Sequence, residues 1–222
     1  MLDRLPTVVR RAMTLAVVAA VASGALVSAS SPAATTNFGT SYSHPCDAHK
    51  ESECRADSRY HSVYVNVTGS YATQIRWSMQ NYTSVAPPIN MFEVFPPALD
   101  KDVEVLLTNA GDSGALAWTQ CMGAPGAPGM QYGGSDASHT RWCRPQRLYY
   151  NTYYAAGYFA SDNAKRYIAC HELGHTIGLR HRRSGEPAVT CMVPATINPK
   201  YVPTYITISS GHDSPAVAAG GY

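Results

Sequence analysis

The stretch His171-Glu172-Leu173-Gly174-His175-Thr176-Ile177-Gly178-Leu179-Arg180-His181 decides how this chain is read. Residues four apart stack on one face of an α-helix, so the imidazoles of His171 and His175 can reach a single ion. Neutral imidazole nitrogen binds zinc at about 2.0–2.1 Å. Glu172 is rotated by about 100° from His171 on the helix. That sets its carboxylate beside such an ion, where it can touch a bound water without displacing a histidine. Gly178 is the expected helix stop, because glycine takes the left-handed conformation that turns the chain sharply. Three residues later His181 can swing back toward the same ion. Three histidines leave a fourth position open, the pattern of a catalytic zinc site rather than a closed structural one. The expected metal ligands are therefore His171, His175 and His181, the cofactor Zn2+, and the catalytic carboxylate Glu172. The plainer alternative is a surface helix carrying solvated histidines.

The surrounding pattern supports a helix. Ser161 or Asp162 caps it, and the helical period runs from Ala164 to about Leu179. Ala169, Leu173 and Ile177 form a stripe at i, i+4 and i+8 that would pack beneath a sheet. Upstream, His61–Val67 alternates like a strand. Tyr71–Tyr82 places Ile75, Met79 and Tyr82 at helical intervals, with Ser70 as a cap. Short strands are expected at Asn90–Phe95, Val103–Thr108, Ala115–Gln120 and Arg147–Tyr154. Met122–Ala137, rich in Gly and Pro, reads as a loop.

The 222 residues suit one globular domain with a core, and 45% apolar against 14% charged residues argues against wholesale disorder. Residues 1–30 read as an export signal. Arg4, Arg10 and Arg11 precede an apolar run from Met13 to Val27, and small residues follow. The run is short for a membrane span, and a retained anchor is the alternative. Residues 1–30 hold three Arg and one Asp, so of 17 basic and 15 acidic residues 14 of each remain. No basic stripe is left for nucleic acid or anionic lipid. Six cysteines suit an oxidising compartment. They fall in neighbouring pairs (Cys46 with Cys54, Cys121 with Cys143, Cys170 with Cys191), although six permit fifteen connectivities. The organisation read from this is a signal at 1–30, an N-terminal segment with a small Cys loop at 31–59, and a domain at 60–222.

With Cys191-Met192-Val193-Pro194 added, the segment resembles the metzincin metallopeptidases, whose pattern is HExxHxxGxxH followed by a methionine turn. The likeness is specific over 171–194 and extends in element order over about residues 60–212. Within the clan it is most similar to bacterial matrixin-like proteins. It implies an α+β, zincin-like fold: a twisted mixed sheet, an active-site helix and a small irregular C-terminal subdomain. It implies Met192 as an apolar floor under the ligands, a generic core methionine being the alternative. It implies a secreted, monomeric zinc endopeptidase without nucleic-acid or membrane partners. Its protein or peptide substrate would lie extended along the edge strand near Ala115–Gln120. Cys170 has two readings, a disulfide to Cys191 or a reactive thiol or fourth ligand.

There are departures from the family. There is no PRCGxPD-type cysteine switch, no His/Asp set between Asn109 and Gly114, and no tyrosine two residues after Met192. Two other functions use the same motif: an idle metzincin-fold binding or adhesion module, and a zinc hydrolase of a non-protein amide.

Overall fold

A computed structural model shows what the chain builds, with buried and half-buried positions alternating over Val103–Leu106 and Gln146–Tyr149. It describes residues 58–86, 89–96, 101–122, 144–179, 181, 190–193 and 207. In chain order the elements are β1 (Tyr60–Val65), α1 (Gly69–Val85), β2 (Asn90–Val94), β3 (Val103–Thr108), β4 (Ala117–Cys121), β5 (Gln146–Asn151) and α2 (Asp162–Thr176). Two 3₁₀ turns, Thr152–Tyr154 and Tyr158–Ala160, join β5 to α2.

The strands form one sheet in the order β2-β1-β3-β5-β4. β1 pairs parallel with β2 and β3, and β3 parallel with β5. Among the described strands β4 alone runs antiparallel, with Thr119 opposite Leu148. The α+β class implied by the family resemblance is thus what the structure shows, a mixed sheet packed with helices.

Val63, Val103, Val105, Leu148 and Tyr150 are fully buried on the inner face, and the stripe Ala169, Leu173 and Ile177 is fully buried in the same cluster. Burying a Leu or Ile side chain contributes about 1.5–3 kcal/mol. The stripe is therefore a large part of what holds α2 on the sheet. α1 lies against α2 and β2, while α2 also meets β4 and β5. On the opposite face Trp118 stacks on Tyr149 with ring centroids 5.2 Å apart.

Several element ends differ from the sequence expectation, each for a local reason. α1 is capped at Thr68, which is extended (φ −123°, ψ 174°), so Ser70 lies inside the helix. The strand expected to reach Tyr154 stops at Asn151. There the Asn151 side chain accepts from Tyr153 N and Ala110 N at 3.2 and 3.0 Å. The same residue delays β4 to Ala117, because its side chain and backbone N–H donate to the carbonyls of Ala115 and Leu116 at 3.0 and 2.9 Å.

The export segment, the Cys46–Cys54 loop, residues 123–143 and nearly all of the C-terminal subdomain lie outside the described residues. Among the described residues no helix is long and apolar enough to cross a membrane.

Candidate metal centre

α2 begins as its sequence suggests. Of the two candidate caps it uses Ser161, whose Oγ accepts from Ala164 N at 3.1 Å, and Asp162 sits in the first turn where the helix dipole favours a negative charge. Fifteen residues of helix then carry His171 and His175 to one buried face, and half-buried His181 joins them. One nitrogen from each of the three lies within 4.8 Å of the others. His171 Nε2 is 3.1 Å from His175 Nε2 and 2.9 Å from His181 Nε2.

The other ring nitrogens settle which atoms carry protons. His171 Nδ1 is 2.7 Å from the Cys191 carbonyl, and His175 Nδ1 is 2.7 Å from the Leu179 carbonyl. A carbonyl only accepts, so both Nδ1 atoms must donate. In the neutral rings the facing Nε2 atoms then hold bare lone pairs, which repel at this separation unless a cation lies between them. Ligands 2.0–2.1 Å from a tetrahedral ion stand about 3.3 Å apart, close to what is seen. The donor set fits a divalent metal of borderline softness, and the carbonyls supply the outer hydrogen bonds that orient metal-binding histidines. The three-His cluster could therefore hold a metal ion.

A helix ending built on Gly178 provides one of those carbonyls. Gly178 has φ +91°. Around it Leu179 N donates to Gly174 O at 2.9 Å and Gly178 N to His175 O at 3.0 Å, the Schellman pattern. This turn buries Leu179, aims its carbonyl back at His175 and sends the chain toward His181.

The second carbonyl comes from residues 190–193, which are tied to α2 several times over. Cys170 and Cys191 form a disulfide, the first of the two readings of Cys170. Tyr167 donates its hydroxyl to Val193 O, and His171 to Cys191 O. Met192 is fully buried beneath the helix, where Tyr82 of α1 also arrives, its hydroxyl donating to Cys170 O at 2.7 Å. Both approach through the space that Gly174 leaves. A Cβ on Gly174 would stand 2.6 Å from the Tyr82 hydroxyl and closer still to Met192 Sδ.

Gly174→Ala should gain about 1 kcal/mol of helix propensity but lose about 1–3 kcal/mol to overpacking. The expected result is a lower denaturation midpoint in urea. A midpoint equal to or above that of the parent would show that this packing has room to spare.

Glu172, the residue after His171, is buried as well. The Thr119 hydroxyl of β4 reaches its Oε2 at 2.9 Å and its backbone carbonyl at 3.2 Å. Burial drives the carboxyl up to about 7, only partly offset by the Thr119 hydrogen bond. Burial also lowers His171 well below the usual 6.5, helped by His175 and His181, and His175 to about 3, helped by His181.

The metal-free protein should accordingly lose stability as pH falls below 6.5, where the unfolded histidines take up protons that the folded ones refuse. Glu172 acts in the opposite sense between about 7 and 4.5, because the folded carboxyl binds its proton first. Two histidines outweigh one carboxyl, and below 4.5 nothing from Glu172 opposes them. Thermal melts of the metal-free protein from pH 7 to 4 check this. A double His171→Asn, His175→Asn variant should show a flatter acid limb, and an unchanged limb would contradict the assignment.

Further polar groups brace the C-terminal end of α2. Thr176 Oγ1 donates to Leu173 O at 2.7 Å, so His61 Nε2, 2.9 Å away, donates to Thr176. Gln146 Nε2 donates to Thr176 O at 2.8 Å. Neither His61 nor Thr119 stands out in the sequence. They lie 115 and 53 residues from their partners, and no local pattern links them.

No protein-family model matches the chain, and no curated protein matches it. Its structure is similar to a crystal structure of myroilysin at 10% identity, over 83% of this chain and 94% of that one, with a TM-score of 0.47. A second myroilysin structure matches at 16% identity over 61% of this chain and 48% of that one, with a TM-score of 0.34.

Proposed function

We propose that this chain is an exported, zinc-dependent endopeptidase of the metzincin kind, with His171, His175 and His181 as ligands and Glu172 as general base. The observation that carries the reading is the pair of bare Nε2 atoms 3.1 Å apart, with a third imidazole 2.9 Å away and a buried carboxylate on the next residue. Bound zinc would polarise the scissile carbonyl and lower the pKa of a water toward 7.

The chain's own residues do the rest. The carbonyls of Cys191 and Leu179 keep the protons on Nδ1 and leave Nε2 free to coordinate. A Glu172 carboxylate oxygen takes the proton of the attacking water and delivers it to the leaving nitrogen. Desolvation that places this carboxyl near 7 suits a group that must both accept and release a proton at neutral pH. β4 pairs with β5 on one side and stands at the end of the sheet. An extended peptide added along its other side would be held by backbone hydrogen bonds next to Glu172.

In this reading residues 1–30 are removed on export, residues 60–222 form a monomeric catalytic domain, and the disulfide belongs to an oxidising exterior.

A casein zymogram of the purified, exported protein, run with and without 1,10-phenanthroline, tests this alongside metal analysis. The expected result is one zinc per chain and a cleared band that the chelator abolishes and added zinc restores. Stoichiometric zinc with no cleared band would favour the binding module or the non-protein amide hydrolase. Clearing that ignores the chelator would end the metallopeptidase reading.

A further inference from the structure

We propose that Thr119 is a positioning residue for the general base, so that the strand which would seat the substrate also sets the rotation of the Glu172 carboxylate. Its kinetic consequence rests on the peptidase reading; the contact itself does not. Thr119 lies on the inner face of β4, opposite Leu148 and only 7% exposed. Leu148, directly opposite, is apolar, so the hydroxyl adds nothing to packing against it. Its role is orientation. One hydroxyl spans Oε2 and the backbone carbonyl of Glu172, locking the side chain against its own helix.

Among the described residues no hydrogen bond reaches Oε1, which is left as the oxygen for proton transfer. A carboxylate on a helix otherwise rotates among staggered conformers. A fixed base shortens the search for the reactive geometry, which is worth rate rather than affinity. The link also has a mechanical side. Thr119 is part of the edge strand, so a peptide docking on β4 presses on the residue that holds the base. Seating and alignment become one event.

The test uses the purified zinc-loaded protein and three variants: Thr119→Val, which keeps the β-branched shape and strand preference, Thr119→Ser, which restores the hydroxyl, and Thr119→Ala. On a fluorogenic peptide, Thr119→Val should lower kcat 10- to 100-fold (about the effect of losing an outer hydrogen bond at a metal site). KM should stay within about twofold, the split of a residue acting on the transition state. Thr119→Ser should recover most of the rate. If Thr119→Val does not fold, Thr119→Ala reports the same loss of the hydroxyl.

A second readout is independent of turnover. The chain has six glutamates, so ¹³Cδ-glutamate NMR at one fixed pH can resolve Glu172, assigned by its loss in Glu172→Gln. Its resonance should move in Thr119→Val, return in Thr119→Ser, and leave the other five in place. A resonance that stays put, or a Val variant with wild-type kcat, overturns the proposal. A resonance that moves in a protein that cleaves no peptide upholds the contact and removes the peptidase reading instead.

Discussion

Replacing Glu172 by Gln should leave zinc bound and reduce peptide hydrolysis by about 10²–10⁴-fold, the usual contribution of a positioned general base. The substitution keeps the shape of the side chain and its ability to accept from Thr119, now through the amide oxygen. It removes the basic oxygen and nothing from the three-histidine set, because the nitrogens that could hold an ion belong to other residues. It also relieves a cost. A carboxylate whose pKa is raised to about 7 by burial is destabilising when ionised, so the neutral amide should unfold at equal or higher temperature than the parent. Loss of activity with gain or retention of stability is a signature that a misfolded variant cannot imitate. Measured zinc content, melting temperature and initial rate on one preparation are sufficient. Residual activity above about a tenth of the parent rate would remove Glu172 from the base role.

His175→Ala should give the complementary result, with metal lost and fold kept. His175 supplies one Nε2 to the cluster and holds the Leu179 carbonyl through Nδ1. Changing only the outer partner of such a ligand costs about 10–100-fold in affinity, so removing the ligand itself should cost at least ~100-fold. The helix should nevertheless remain, because its hold on the sheet comes from Ala169, Leu173 and Ile177, a different face that the substitution leaves intact. Leu173→Ala supplies the contrast. It should lower stability by about 2–5 kcal/mol while the three imidazoles keep their spacing. Competition against a chromophoric chelator, with circular dichroism on the same samples, separates the two. If His175→Ala holds zinc as tightly as the parent, the ion is not where the three histidines converge.

Much of the centre could be read from eleven consecutive residues because its geometry is local. The i, i+4 spacing of His171 and His175, the helical stripe and the glycine stop at Gly178 all express one helical period and one left-handed turn. The structure agrees with them nearly residue for residue. Strand positions were legible to within a few residues for the same reason, and the late start of β4 and the early stop of β5 trace to Asn151, whose hydrogen bonds override the strand pattern on those two segments. Cys170 and Cys191 could be paired only as one option among several, since connectivity depends on where distant segments meet.

The α+β class came with the family resemblance, and the amino-acid sequence by itself determined the helix that carries His171 and His175 and the set of residues offered to an ion. These follow from short-range periodicity and from the chemistry of imidazole and carboxylate. Only the tertiary structure decided that β4 ends the sheet antiparallel to β5, that its Thr119 grips Glu172, and that the Cys191 carbonyl orients His171. It alone also showed that Gly174 leaves the space in which Met192 and Tyr82 lie against the helix. Those contacts join residues from 18 to more than 90 positions apart. They exist because burying one face of each element leaves few ways to close the core, and a polar group trapped inside must find its partner from whichever segment the packing brings.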